Sequence, residues 1–268
     1  MNILSKKIKT TCLTVFMLYA SCSFVAAQGL NFNGGHSHND YYQAQPLHDA
    51  LKNKLVSIEA DVFLQDGKLL VGHSKDELNS KLTLKHLYLD PLKLLARQNK
   101  NLRIILMVDI KENGLAAYNA LKPILKPYQQ MLSSVIDNEV YTRQVSIILS
   151  GDRPVQTVSN EAKRFVFLDG RLNQLNDHTD WSLFPLISDS WGDHFKWKGN
   201  GAISSEEENK LKTLINDCHL QHKLIRFWGL PKEKDKAEAF WRLFSRLGVD
   251  LIGTDSPDHF QNFMLSNH

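Results

Sequence analysis

Short, nearly uninterrupted apolar runs recur along this chain with helix-patterned stretches between them. That alternation limits the fold more than any other feature. The runs are Leu30–Asn33, Leu55–Phe63, Arg103–Asp109, Val145–Leu149, Phe165–Leu168, Pro185–Ser188, Lys223–Trp228 and Leu251–Thr254. Continuous apolar segments of this length read as strands buried on both faces, as in a parallel sheet. Helical spacing fills Leu47–Lys52, Leu84–Gln98, Leu115–Leu132, Pro154–Ala162, Glu206–Gln221 and Lys234–Leu247. Asp66-Gly67 turns a short hairpin into an extra strand segment at Lys68–Gly72. Eight strands alternating with helices predict an α/β fold, a TIM-type (β/α)8 barrel in a single domain over 28–268; an open doubly wound sheet is the alternative. No internal repeat or second domain is visible.

Polar residues gather where the apolar runs stop. The first run is followed by His36-Ser37-His38-Asn39-Asp40, the second carries Glu59 and Asp61, and the third ends in Asp109-Ile110-Lys111. A barrel brings the C-terminal ends of its strands to one mouth, so these clusters should meet. Glu59 and Asp61 are two apart and leave the same face of a strand, as do Asp109 and Lys111. Three carboxylates converging in a dry site would repel one another. A divalent cation resolves that conflict, and all-oxygen donors favour Mg²⁺ or Ca²⁺. Salt bridges with Lys111 and Arg226 are the plainer account of the same acids. His36 and His73 flank the cluster in sequence, and two imidazoles beside a metal-bound phosphate suit in-line displacement. One would serve as base or nucleophile, the other would protonate the leaving oxygen. His38 either contacts the phosphate or braces its loop.

Taken in order, these segments resemble the glycerophosphodiester phosphodiesterase and PI-PLC-like phosphodiesterase superfamily. The resemblance runs from His36 through I-E-A-D-V at 58–62, D-G-K-L-L-V-G-H at 66–73, V-D-I-K at 108–111 and R-F-W-G at 226–229 to L-G-V-D-L-I-G-T-D-S-P-D at 247–258. It implies a TIM-type barrel and a phosphoric diester hydrolase. The implied metal ligands are Glu59, Asp61 and Asp109, and the implied catalytic histidines are His36 and His73. His38, Asn39, Lys111, Arg226 and Trp228 are the implied phosphate- or substrate-binding residues. The chain departs from the family pattern in two places. It lacks the His-Arg-Gly start with its Glu-Asn-Thr segment, and it has Asp109 in D-x-K where glycerophosphodiesterases carry Glu. D-x-K and the H-x-x-N spacing of His36 and Asn39 look like the sphingomyelinase D branch. The H-S-H-N-D-Y run is similar to a subgroup related to a fungal mitochondrial-inheritance protein. The implied substrate is a glycerophosphodiester or a phospholipid or sphingolipid head-group phosphodiester, which allows association with a membrane surface.

Two other classes fit parts of the pattern. His36-x-His38 also opens zinc-dependent amidohydrolase and histidinol-phosphatase-like sites, but those need later histidine ligands, and the later strands end in Ser150, Asp169 and Asp189. A non-catalytic barrel that binds a phosphorylated ligand would keep the acids without turnover. Three of the five tryptophans lie at 181–197, with Phe195 among them. This segment reads either as a loop with its own small core or as a lid over the barrel mouth.

The N-terminus reads as an address. Lys6, Lys7 and Lys9 precede an apolar run from Cys12 to Ala27 that ends in Val25-Ala26-Ala27, a signal-peptide cleavage pattern. Export to a periplasmic or secreted location follows, with lipid anchoring at Cys22 as the competing reading. The chain has 32 basic and 29 acidic residues. With three lysines in the leader, the remainder is balanced, which excludes a nucleic-acid footprint. Beyond the leader Cys218 is the lone cysteine, so no internal disulfide is available.

Overall fold

The computed structural model describes residues 34–175 and 180–266. The expected leader at 1–27 and the expected strand Leu30–Asn33 lie outside the described residues. In chain order the strands are β1 (Gly34–Ser37), β2 (Ser57–Gln65), β3 (Lys68–Val71), β4 (Ile104–Ile110), β5 (Ser134–Ile136), β6 (Glu139–Tyr141), β7 (Val145–Gly151), β8 (Lys163–Arg164), β9 (Phe167–Gly170), β10 (Leu186–Ser190), β11 (Leu224–Trp228) and β12 (Leu251–Thr254). The helices are α1 (His48–Lys52), α2 (Asp90–Gln98), α3 (Gly114–Leu125), α4 (Val155–Ser159), α5 (Trp191–His194), α6 (Ser205–Leu220), α7 (Lys234–Leu247) and α8 (Pro257–Ser266).

Strands β1, β2, β4, β7, β9, β10, β11 and β12 pair in parallel in that order, and β1 pairs with both β12 and β2, which closes the ring. The fold is the expected TIM-type barrel. Strand β3 adds to β2 as an antiparallel hairpin across the Asp66-Gly67 turn.

Strand alternation sorts the side chains. On β4, Ile105 and Met107 point inward and join Ile148, Phe167, Leu186, Leu224 and Leu251 in the barrel interior. Ile104, Leu106, Val108 and Ile110 point outward into the larger core beneath the helices. Strands β5, β6 and β8 form a separate small antiparallel sheet. Val135 of β5 packs into the interior cluster, plugging the barrel below the site. The Asp137-Asn138 turn of this sheet has positive φ at both residues, the geometry a tight two-residue hairpin needs.

The aromatic segment is core, not lid. Trp191 and Phe195 are buried and stack with ring centroids 4.0 Å apart. Trp191 meets Phe227, Phe240 and Phe244 at 5.4, 5.1 and 5.4 Å. None of Trp181, Trp191, Phe195 or Trp197 lines the mouth cavity. The rings fill the wedge between β11 and α7, because burying large apolar faces there is more favourable than exposing them at the mouth. Among the described residues, no helix is long and apolar enough to cross a membrane.

Candidate active site

A cavity of about 490 Å³ opens at the C-terminal end of the barrel. Glu59, Asp109, Lys111, His38, Asn39, His73, Arg226 and Trp228 line it. Asp61 lies immediately beneath, fully buried. The β2–β4 register sets Asp61 beside Asp109 and Glu59 one inward layer below. One ligand oxygen from each of Glu59, Asp61 and Asp109 lies within 4.8 Å of the others.

Each acid is held by its neighbours. Asp61 Oδ2 accepts hydrogen bonds from Tyr41 Oη at 2.8 Å and His73 Nδ1 at 3.0 Å, and pairs with Lys111 Nζ at 2.7 Å. Its Oδ1 is buried and has no hydrogen-bond partner among the described residues. Glu59 Oε2 accepts from Arg226 Nη2 at 2.9 Å and from His36 Nε2 at 2.7 Å. Burial alone would raise the Glu59 carboxyl, but Arg226 and the His36 bond hold it well below the usual carboxylate range. Asp109 is pushed up to about 6, first by burial and then by Asp61 and Glu59, against the pull of Lys111. The donor set fits a hard divalent cation. It is all carboxylate oxygen, it contains a buried oxygen with no partner, and it carries mutual repulsion that a positive ion removes.

The three histidines differ in what their ring nitrogens do. His36 is fully buried. Its Nε2 faces a carboxylate, which only accepts, so Nε2 carries the hydrogen and Nδ1 accepts from Ser57 Oγ at 2.8 Å. Burial and Arg226 push His36 down to about 4, which keeps it neutral. Both nitrogens are therefore engaged below the cavity floor. His38 and His73 stand at the cavity wall instead. His38 Nδ1 lies 2.6 Å from Asp255 Oδ1, and His73 Nδ1 lies 3.0 Å from Asp61 Oδ2. Each carboxylate fixes Nδ1 as the donor, which leaves Nε2 as the nitrogen free to exchange a proton.

The H-S-H-N-D-Y run builds this geometry residue by residue. Ser37 Oγ donates to buried Asp40 at 2.7 Å, and Asp40 accepts from the Leu47 amide at 2.5 Å. Asn39 takes a left-handed backbone, φ 48°, that turns the chain over the mouth. Tyr41 reaches Asp61, and Tyr42 Oη donates to Glu77 at 2.8 Å. Asp255 is the residue that sequence reasoning passed over. It sits in the quoted T-D-S-P-D segment, but its partner His38 is 217 residues away. It pairs also with Lys232 at 2.8 Å. The His38 bond holds the Asp255 carboxyl down at about 2.

Comparison with known proteins agrees with this architecture. The AIM6-like phosphodiesterase domain matches residues 28–104. An altered inheritance of mitochondria protein 6 homolog from Arthroderma benhamiae is 30% identical over 257 residues, covering 82% of this chain and 80% of the relative. Altered inheritance of mitochondria protein 6 from Eremothecium gossypii is 27% identical over 266 residues, covering 85% and 68%. A glycerophosphoryl diester phosphodiesterase structure from Parabacteroides distasonis superposes with a TM-score of 0.54 at 14% identity, covering 89% of this chain and 88% of that one. A glycerophosphodiester phosphodiesterase from Agrobacterium tumefaciens gives 0.51 at 12% identity, covering 86% and 97%. At those identities the two structures share the fold. The relatives overturn one expectation. Their names tie them to the inheritance of mitochondria rather than to a secreted or periplasmic setting, so export from the leader, with or without anchoring at Cys22, is not retained. A relative this similar over most of both chains, together with the AIM6-like phosphodiesterase domain match, places the protein in the altered inheritance of mitochondria protein 6 family.

Proposed function

We propose that this barrel hydrolyses a phosphodiester, with Glu59, Asp61 and Asp109 holding Mg²⁺ or Ca²⁺ and with His38 and His73 moving the protons. The observation that carries the reading is the paired arrangement of His38 on Asp255 and His73 on Asp61, on either side of the carboxylate cluster. The bound cation would supply charge neutralisation at the phosphate. Lys111 adds a second positive charge at the phosphate, and Arg226 fixes Glu59. One imidazole acts as base or nucleophile and its counterpart protonates the leaving oxygen. Their Nδ1–H bonds to carboxylates stabilise the positively charged ring, which forms at the base or nucleophile and is already present at the acid that protonates the leaving oxygen. His36 positions Glu59 from below. The substrate is a glycerophosphodiester or a phospholipid or sphingolipid head-group phosphodiester, and Trp228, 39% exposed at the cavity wall, offers an apolar face to the alcohol part.

The test is a panel of glycerophosphodiesters, lysophospholipids and sphingomyelin assayed with Mg²⁺ or Ca²⁺ and again with chelator. Turnover that disappears with chelator and returns with the cation supports the reading. Turnover that survives exhaustive chelation sinks the metal role, and absence of turnover across the panel sinks the hydrolase. A zinc hydrolase would need imidazole ligands. Here His36 has both ring nitrogens engaged and His38 keeps only Nε2 open; zinc in the purified protein would nonetheless argue for that rival.

A further inference from the structure

Arg171 follows β9 at the barrel mouth and lines the same cavity, away from the histidines. Its guanidinium is anchored by one nitrogen. Nη1 donates to Asp169 Oδ2 at 2.7 Å, to the Gly170 carbonyl at 3.1 Å and to the Ser188 carbonyl at 3.3 Å. The Asp169 carboxylate is itself fixed. Ser150 Oγ and Ser188 Oγ donate to it at 2.8 and 2.7 Å, tying β7, β9 and β10 together beneath the arginine. The Asp169 side chain is 1% exposed and the Arg171 side chain 27%. A guanidinium carries five N–H donors in a planar fork, so the Nε–Nη2 edge is left without a partner among the described residues.

The register adds a second observation. Leu186 pairs with Asp169 and Ile187 with Gly170, so the next step sets Ser188 beside Arg171. Ser188 pairs in turn with Arg226. Arg171 and Arg226 thus occupy one layer, two strands apart, about 10 Å between Cα atoms at the usual strand spacing. Both arginines give one nitrogen to a buried carboxylate, but Arg226 is itself buried against Glu59 at the phosphate end, whereas the Arg171 side chain stays 27% exposed at the cavity. Arg153 stands near Arg171, with its Nε buried and without a partner among the described residues, and the two cations repel each other. An ordinary structural ion pair explains the contact with Asp169. It does not explain a half-used guanidinium facing a cavity with a second cation close enough to repel it.

We infer that Arg171 forms a second anion subsite, so that the substrate is a phosphodiester whose alcohol carries its own anionic group, a carboxylate or a phosphomonoester. This rests on the phosphodiesterase reading and narrows it. With the diester phosphate at the carboxylate-bound cation, the second charge lies across the mouth against the Nε–Nη2 edge, where a planar fork binds two oxygens at once.

Matched ligands test it. Glycerophosphoserine differs from glycerophosphoethanolamine by one carboxylate. Glycerophosphoglycerol with a terminal phosphate differs from glycerophosphoglycerol by one phosphomonoester. Binding would be measured calorimetrically with Mg²⁺ or Ca²⁺ in a His38→Ala background that suppresses turnover. The charged member of at least one pair should bind at least ~10-fold tighter, the scale of a bidentate charge-assisted contact. The pair that shows the preference identifies the anion. Arg171→Gln should lose the preference by weakening the charged member alone, and Arg171→Lys should keep part of it. Because Arg171→Gln strands the buried Asp169 charge, the double variant Arg171→Gln, Asp169→Asn removes both partners and must lose the preference too. Equal binding within both pairs overturns the subsite, and so does a preference that persists in a folded Arg171→Gln or double variant. Turnover by the unmodified protein separates the two ideas. Hydrolysis without preference sinks the subsite alone, and binding preference without hydrolysis sinks the phosphodiesterase reading alone.

Discussion

A histidine with both ring nitrogens engaged cannot move a proton without first breaking a bond, and His36 is in that position between Ser57 and Glu59. His38→Ala should therefore lower kcat by ~10²-fold or more while cation binding persists, the scale of general acid–base catalysis. His36→Ala should instead weaken cation binding and lower the melting temperature, because Glu59 loses a partner in a buried site. A larger kcat loss at His36 with unchanged cation affinity would return the proton role to it. Period-two alternation made Glu59 and Asp61 legible as a pair on one face. It could not choose within His36-x-His38, since both point inward and differ only in depth. Depth comes from pairing with β2 and β12, where His36 sits level with Ser57 and Gly253, and that is a long-range property. Asp255 was illegible for the same reason. Asp109 carries a pH prediction. Its folded value, about 6, is raised above the ordinary 3.8. Without cation, the stability it contributes is therefore present at low pH and lost as pH rises through about 6. The cation needs the ionised form. Thermal stabilisation by added Mg²⁺ or Ca²⁺ should be small at pH 5 and larger at pH 8, and Asp109→Asn should flatten that difference. An equal shift at both pH values in the unmodified protein would contradict it.

Most elements were readable because each matches its own local pattern. The α7 span, Lys234–Leu247, coincides with the expected helix, and β12 with the expected strand. The small sheet of β5, β6 and β8 was missed. Its strands are only two or three residues long and give periodicity too little to work on, although Asp137-Asn138 between Val-Ile and Glu-Val is a hairpin signal. The fate of the 181–197 aromatics was also hidden, since composition marks an apolar payload and not the surface it meets. Trp191→Ala should cost about 3–5 kcal/mol of stability, the range for emptying a buried aromatic site. It should leave KM for any turned-over diester unchanged, and a changed KM with intact stability would revive the lid. Close approach governs the end of β7. Gly151 has φ 67°, and a Cβ there would lie 2.1 Å from Asp109 Oδ1 and 2.3 Å from the Ile110 carbonyl. Gly151→Ala should displace Asp109 and reduce cation affinity, measured by calorimetry, more than any surface Gly→Ala change such as Gly67→Ala, whose position is open.

Across the whole molecule, one ring of strands carries two cores, an interior cluster and a surrounding shell under the helices. Cys218 belongs to the shell, and burial pushes its thiol up to about 12. Alkylating reagents at neutral pH should therefore leave the Cys218 peptide unmodified until global unfolding, as read by mass spectrometry across a urea series. Labelling well before the main transition would show that α6 opens independently. The fold class was legible because eight buried strands alternating with helices have few other ways to hide their faces. The shape of the cavity was not, because it depends on which strand ends stand level around the ring. The plug formed by Val135 and its neighbours has a kinetic corollary. A tube sealed at one end is a cul-de-sac: whatever enters to react must depart by the door it came through. If the proposed phosphodiester is cleaved here, both halves would queue against the next arrival, and slow departure of either would throttle the cycle however fast the bond itself breaks.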